Sequence, residues 1–347
     1  MTNALAAAIA AINQAVTDDL TRAKIRALMR GYDAQYYARY SNAEILAVEP
    51  EFIFRLPNPS SSGVSKSFDY AGKIDVIILD RDQVKIVEHK TTSDSVDPTS
   101  QYWDRLTMDS QISAYHLGAI ELGHDPQSCV YDVIRKPGLS PRESIPMLDD
   151  DGKKIVVDVG GERVYKSNGE PRESADTSRG YAVQTRQETI DEYEDRLTDD
   201  IASRPEFYFG CHEVGRFNSD LVEFLEDAWA TSQQILYFRN RNVWPKNPNA
   251  CTAYGICPYF GLCAGHKSIS DFVSGARNRE LDATENERQF LTNSRVNCLH
   301  TCARKHKLSY EDLLKPVEES EALYFGTLFH AAIEAWFISL KNEMVNI

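Results

Sequence analysis

One stretch constrains this chain more than any other. It runs Gly72-Lys73-Ile74-Asp75-Val76-Ile77-Ile78-Leu79, turns over Asp80 to Gln83, and continues Val84-Lys85-Ile86-Val87-Glu88-His89-Lys90. β-Branched apolar runs on either side of a short polar turn predict two paired strands. The first places Asp75 on a buried strand, and the second carries an acid-x-lysine triplet. Glu88 and Lys90 are two residues apart, so strand periodicity puts both side chains on one face. A solvated pair of strand ends joined by a surface salt bridge is the plainer reading, but the set as a whole sits beside Ile-Val runs on both strands. Buried charge is costly unless paired or used.

The residue types point to one chemistry. Phosphodiester hydrolysis needs a metal to polarise the phosphoryl group, an activated water, and a group that offsets transition-state charge. Mg²⁺ or Mn²⁺ takes oxygen ligands, which Asp75, Glu88 and the carbonyl of His89 between them can supply. Lys90 is placed to orient a water or offset phosphate charge.

Composition narrows the classes. The 347 residues suffice for one large domain or two modest ones. No apolar run approaches the ~18 residues of a membrane span. Residues 4–11 lack a basic flank and read as helix, not signal peptide, so the expected compartment is the cytoplasm. A net charge of −14 argues against a protein that coats DNA, yet allows positive charge confined to one groove. Seven cysteines without a secretory signal argue against a disulfide framework. Cys129 and Cys211 stand alone and are expected to be buried.

Helices are expected over residues 3–40, 104–122, 186–203, 218–240, 286–310 and 325–341. Strands are expected over 45–55, 70–79, 83–90 and 128–135. Residues 138–185 are polar and rich in Gly and Asp, an exposed hairpin insertion, and 264–290 read as a polar linker. No internal repeat is evident. The mixed order of strands and helices predicts an α/β domain with a central sheet.

With these motifs in place, the chain resembles the RecB-like branch of the PD-(D/E)XK nuclease superfamily. Gly72-Lys73-Ile74-Asp75 resembles that branch's G-h-h-D motif, with Lys73 at a usually apolar position, and Glu88-His89-Lys90 matches its acid-x-Lys motif. Gln111-Ile112-Ser113-Ala114-Tyr115 is similar to its Q-x-x-x-Y motif; residues four apart share a helix face, and the resemblance implies contacts with DNA or with the catalytic lysine. Phe325-Gly326-Thr327-Leu328-Phe329-His330 resembles its G-T-x-x-H segment, which implies His330 as a further metal ligand. The implied fold is a restriction-endonuclease-like mixed sheet flanked by helices, with a helical cysteine-rich lobe.

Cys251, Cys257 and Cys263 are spaced too widely for paired C-x2-C zinc knuckles, and Cys298 or Cys302 could complete the set. Thiolates suit zinc and iron–sulfur centres alike, and reduced cysteines in a small core remain a third reading. Some RecB-like nucleases hold a [4Fe-4S] cluster with one distant and three clustered cysteines, and Cys302 resembles the distant one. The family's cluster is often C-x2-C-x5-C; here the first gap is longer.

In that branch the G-T-x-x-H helix and the distant cysteine come first; in this chain they come last. The order reads as a circular permutation: residues 1–263 form the nuclease core with its three-cysteine cluster, 264–290 join the old termini, and 291–347 are the family's N-terminal segment. A truncated second tandem copy or two joined gene pieces are the rival accounts. The expected activity is a metal-dependent DNA nuclease, an exonuclease on DNA ends or single strands, with a helicase or recombinase as possible partner, in a bacterial or phage-infected cell. The alternatives are a non-catalytic DNA- or helicase-binding module and a cysteine-metal regulatory protein on a nuclease-like scaffold. Tyr102, Trp103 and Arg105 could meet bases or phosphate or simply pack, and Arg135 and Lys136 could hold backbone phosphate.

Overall fold

The computed structural model describes residues 1–253, 255–275, 288–317 and 321–345. Helices α1 (Asn3–Ala15) and α2 (Asp19–Tyr40) precede strands β1 (Glu44–Val48), β2 (Glu51–Pro57), β3 (Val64–Lys73), β4 (Val76–Asp80) and β5 (Gln83–Thr92). Next come α3 (Tyr102–Thr107), α4 (Ser110–Glu121) and β6 (Ser128–Arg135). The insertion holds β7 (Ile145–Pro146), β8 (Val156–Val157), β9 (Ala182–Val183) and β10 (Thr185–Arg186). The chain continues through α5 (Ile190–Ser203), α6 (Pro205–Tyr208), β11 (Phe209–Val214), α7 (Asn218–Arg241), α8 (Phe260–Ala264) and β12 (Val273–Ser274). It ends in β13 (Gln289–Leu291), α9 (Asn293–Thr301), α10 (Ala303–His306), β14 (Leu314–Lys315) and α11 (Glu321–Val345).

The expected α/β architecture is present. A five-stranded sheet in the order β1-β4-β5-β6-β11 is antiparallel except for the parallel pair β5–β6. Alternation along its strands feeds two cores. Val76, Ile78, Val87 and Val130 face α1, α2, α5 and α11. Ile77, Ile86, Cys129 and Tyr131 face α3, α4, α7 and a second sheet of order β13-β3-β2. Phe329, Trp336 and Phe337 of α11 lie in the first core with α1 and α2. Among the described residues no helix is long and apolar enough to cross a membrane.

Several expected elements divide. Residues 45–55 are two strands in different sheets, broken at Glu49, whose φ of 53° lies in the left-handed region that a non-glycine residue adopts at a cost. The expected strand over 70–79 is likewise β3 and β4, broken at Ile74 and Asp75. The two breaks face each other: Glu49 N–H donates to Asp75 O (2.7 Å) and Ile74 N–H to Pro50 O (3.1 Å). The helix expected over 104–122 stops and restarts at Asp109, which caps α4.

The insertion does contain a repeat. Gly152, Gly161 and Gly169, each at φ between 75° and 83°, close successive turns by donating to Asp149, Asp158 and Lys166 carbonyls. Each turn then bonds the one before, through Ile155 to Met147, Val164 to Val156 and Arg172 to Val164. Side chains vary around the conserved turn geometry, which hides the period. In the expected linker, β12 pairs with β14; residues 276–287 lie outside the described residues. Cys129 is buried as expected, but Cys211 is exposed, with the Arg39 guanidinium 2.8 Å from its sulfur.

Candidate active site

Asp75 sits at the corner where the chain leaves the β2–β3 sheet and enters the five-stranded one, not within a strand. That corner fixes its backbone from both sides. Its Oδ2 accepts from the His89 backbone N–H (2.9 Å), and the His89 Nδ1 lies 3.3 Å away. His330, carried in by α11, places Nδ1 3.6 Å from the same oxygen. The Gly-Thr-x-x-His segment and the Asp motif, distant in sequence, therefore meet. Burial would raise the Asp75 pKa, but the His89 hydrogen bond and the neighbouring His330 outweigh it and hold the carboxyl below its usual range. His330 is lowered by its own burial, against the pull of Asp75, so its imidazole is neutral with a lone pair to offer.

On β5, residues 86, 88 and 90 face α4 while 87 and 89 face α2 and α11. Lys90 Nζ lies 2.8 Å from Glu88 Oε1, as the strand spacing predicts. It donates to Gln111 Oε1 (2.6 Å), and Gln111 Nε2 donates to Tyr115 OH (2.5 Å). The Q-x-x-x-Y pair thus reaches the lysine in a single chain of hydrogen bonds. Burial opposes the charge on Lys90, but Glu88 and Asp109 raise its pKa above the usual lysine range, so it stands as an ammonium. Burial first, then the Asp75 carboxylate, push Glu88 up to about 7 against the opposing effect of Lys90.

Glu88 Oε2 is buried and has no hydrogen-bond partner among the described residues. An orphaned buried carboxylate oxygen beside a second carboxylate and a neutral imidazole is a donor set that suits a hard divalent cation. Among the described residues no three His, Cys, Asp or Glu side chains form a ready-made cage; Mg²⁺ is commonly held by one or two carboxylates and completes its shell with water. The residues fit the group. His89 meets Asp75 through its backbone N–H and its ring, links the expectation about its carbonyl did not include.

Asp109 escaped the sequence reading. Its Oδ1 caps α4 by accepting from Gln111 N–H (3.0 Å), while Oδ2 lies 3.7 Å from Lys90 and accepts from Tyr131 OH (3.1 Å). The signal was there as an Asp-Ser-Gln N-cap pattern, hidden by reading one helix through it. Two openings flank the carboxylates: one is lined by Lys73, Asp75, Lys136 and His330, the other by Lys73, Tyr70, Gln111 and Tyr115. Lys136 is thus at the groove, whereas Arg135 stacks over Phe207 (4.1 Å). Trp103 packs inside against Gly210 and donates Nε1–H to Asp97 O (2.9 Å); Arg105 pairs with exposed Asp94 over the Tyr102 ring.

The cysteines converge as well. Cys251, Cys257, Cys263 and Cys302 line one small cavity with Lys246 and Lys305, and Asn247 N–H points at Cys302 Sγ (3.4 Å). Cys298 is not among its walls.

A family model described as the PD-(D/E)XK nuclease superfamily matches residues 2–264 and 291–345. No curated protein matches the chain. The matched segments carry both carboxylates, the lysine and the histidine that the fold brings together, and the chain belongs to the PD-(D/E)XK nuclease superfamily.

Proposed function

We propose that this chain is a metal-dependent DNA nuclease of RecB-like type, acting as an exonuclease on DNA ends or single strands. Superfamily membership supports a nuclease, with Mg²⁺ or Mn²⁺ as the usual metal. The observation that carries the reading is the convergence of Asp75, Glu88 and Lys90 around an orphaned carboxylate oxygen. Exonuclease action and a helicase or recombinase partner rest on the RecB-like motifs alone.

Asp75 and Glu88 would hold the metal, with His330 as a further ligand and the His89 carbonyl as a candidate fourth. The bound cation supplies Lewis-acid polarisation of the phosphoryl oxygen and lowers the pKa of a bound water. Lys90, an ammonium pinned by Gln111, donates a hydrogen bond to the attacking water or to a phosphate oxygen; in that state it orients and offsets charge, and does not abstract a proton. Gln111 and Tyr115 hold that lysine and border the groove along which a strand would run. Lys136 brings a cation to a groove also lined by Glu49, Asp75 and Glu334, where Lys73 is paired with Glu49.

The shared cavity supports a [4Fe-4S] cluster on Cys251, Cys257, Cys263 and Cys302. Sulfurs around one zinc ion converge at about 2.3 Å from it. The four here line one cavity, and the likeness of Cys302 to the distant cysteine of the RecB-like cluster pattern favours the cluster over zinc. Circular permutation is supported by His330 reaching Asp75 and by α11 filling the core with α1 and α2; a stray fragment of a second copy has no reason to complete this core. On that reading residues 1–263 are the core, 264–290 the join and 291–347 the displaced N-terminal segment.

Incubation with linear, circular and single-stranded DNA, with and without Mn²⁺, tests the proposal. Linear or single-stranded DNA is expected to be degraded only with metal, and circular duplex spared. Asp75→Ala, Glu88→Ala and Lys90→Ala are each expected to cut kcat by about 10²- to 10³-fold or more with the fold retained. Full activity in Lys90→Ala would refute the mechanism, and DNA binding without any cleavage would favour the non-catalytic module. Iron analysis and a visible absorption band after anaerobic purification test the cluster; colourless, iron-free, active protein removes it.

A further inference from the structure

We propose that His89, Tyr32 and Asp132 form a strut that positions the Asp75 carboxylate toward its metal, an inference that rests on reading Asp75 as a ligand. His89 points away from Glu88 and Lys90, into the core between α2 and α11, and its ring is 1 % exposed. Nδ1 faces Asp75 Oδ2 at 3.3 Å, and Nε2 faces Tyr32 OH at 3.1 Å. Tyr32 OH donates to Asp132 Oδ2 (3.0 Å), and Tyr40 OH donates to the same oxygen. Asp132 is the residue paired with His89 across the parallel β5–β6 register, so the sheet itself brings the two together. Tyr32, Tyr40 and Asp132 are all fully buried.

Packing alone gives no account of this chain. Asp132 is 0 % exposed, and its Oδ1 has no partner among the described residues. Arg39, the nearby cation, hydrogen-bonds Cys211 instead, and His89 Nε2 stays 4.0 Å from Asp132 Oδ2. A buried carboxylate held by two tyrosine hydroxyls and the neighbouring Cys211 thiol, with no cation in direct contact among the described residues, costs stability that an apolar residue would not. What it provides is a fixed anchor on β6 for the Tyr32 hydroxyl, hence for the His89 ring, hence for Asp75. His89 holds Asp75 Oδ2 through its backbone N–H, with ring Nδ1 3.3 Å from the same oxygen, and no hydrogen bond reaches Oδ1 among the described residues. One oxygen is locked and the other is left for a cation, as outer-shell partners orient metal ligands elsewhere.

Two matched variants separate positioning from packing. Tyr32→Phe and Tyr40→Phe each remove one hydroxyl from the same Asp132 oxygen, but only Tyr32 touches His89. Calorimetric titration of the full chain with Mn²⁺ is expected to show affinity weakened about 10- to 100-fold in Tyr32→Phe and unchanged in Tyr40→Phe. On DNA, Tyr32→Phe lowers kcat and leaves KM unchanged. Wild-type affinity in both variants overturns the strut, and so does equal weakening in both, which would mean general loosening. If Tyr32→Phe does not fold, His89→Gln carries the test: the same loss supports the strut and unchanged affinity overturns it. A chain that shows this Mn²⁺ pattern yet cuts no DNA upholds the strut and overturns the nuclease reading. Cleavage with Mn²⁺ affinity indifferent to both tyrosines does the reverse, and wild type that neither binds Mn²⁺ nor cuts overturns both.

Discussion

Phe52 explains why residue 72 of the Gly72-to-Asp75 motif is glycine. A Cβ on Gly72 would stand 2.5 Å from Phe52 Cζ, and one on Gly118 of α4 would stand 2.4 Å from its Cγ. The ring is clasped between β3 and α4 and has nowhere to move, so the motif glycine seats the helix that carries Gln111 and Tyr115. Gly72→Ala is expected to lower stability by about 1–3 kcal/mol through overpacking, read by urea denaturation. Phe52→Leu in the same chain should recover part of it, because residues in contact are not additive. Glu88 and Lys90 were legible as same-face neighbours because period-two alternation is a local property. Asp75's corner was not, since it arises where two sheets meet and nothing local marks it. The Asp132 partner of His89 was equally hidden: only the parallel register of β5 on β6 pairs the two.

At the scale of elements, α9, α10 and the end of α7 are joined by a stack. His306 lies between Trp244 (5.5 Å, 14°) and Tyr310 (5.1 Å, 27°), and its Nε2 accepts from the Nε–H of buried Arg295 (3.2 Å). Burial, then Arg295 and Arg239, depress its pKa to about 3. A histidine depressed in the fold refuses a proton that the unfolded chain accepts below ~6.5, so its contribution is full above that pH and falls as the pH drops toward 3. Between pH 7 and 5 this group alone should remove roughly 2 kcal/mol of stability. Glu88, raised to about 7, gains stability over the same window and offsets it in the wild type, so the check is the difference in urea midpoints between wild type and His306→Phe at the two pH values. The same pH dependence in both chains would contradict the buried, neutral assignment. Helix periodicity marked this region as helical, but the π-helical turn Lys307–Glu311 and the stack depend on α7, which a local pattern does not report.

For the molecule as a whole, α11 is the closing wall of the first core. Trp336 is fully buried and donates Nε1–H to Asp33 of α2 (2.9 Å), while Lys341 reaches the Leu46 carbonyl of β1 (2.7 Å). A chain stopped at residue 317 is therefore expected not to fold, giving no cooperative transition by circular dichroism. A protease site engineered between residues 275 and 288, once cut, should leave the two pieces co-eluting, because packing and the Arg288–Asp69 and Arg239–Glu311 ion pairs hold them. Dissociation on cutting would favour the joined-piece account over permutation. The layered α/β class was visible from the alternation of strands and helices. Which helix covers which face was not, because α11 is set by contacts with α1 and α2 at the opposite end of the sequence.

The same placement of α11 orders events in time. A ribosome making this chain finishes Asp75, Glu88 and Lys90 early and must add about 240 more residues, some 10–50 s at typical elongation rates, before His330 and the wall around it exist. Under the proposed mechanism a nascent or prematurely released polypeptide holds its acids and lysine but no closed core to aim them, so it is harmless to nearby DNA. Potency arrives only once the segment carrying His330 has been made.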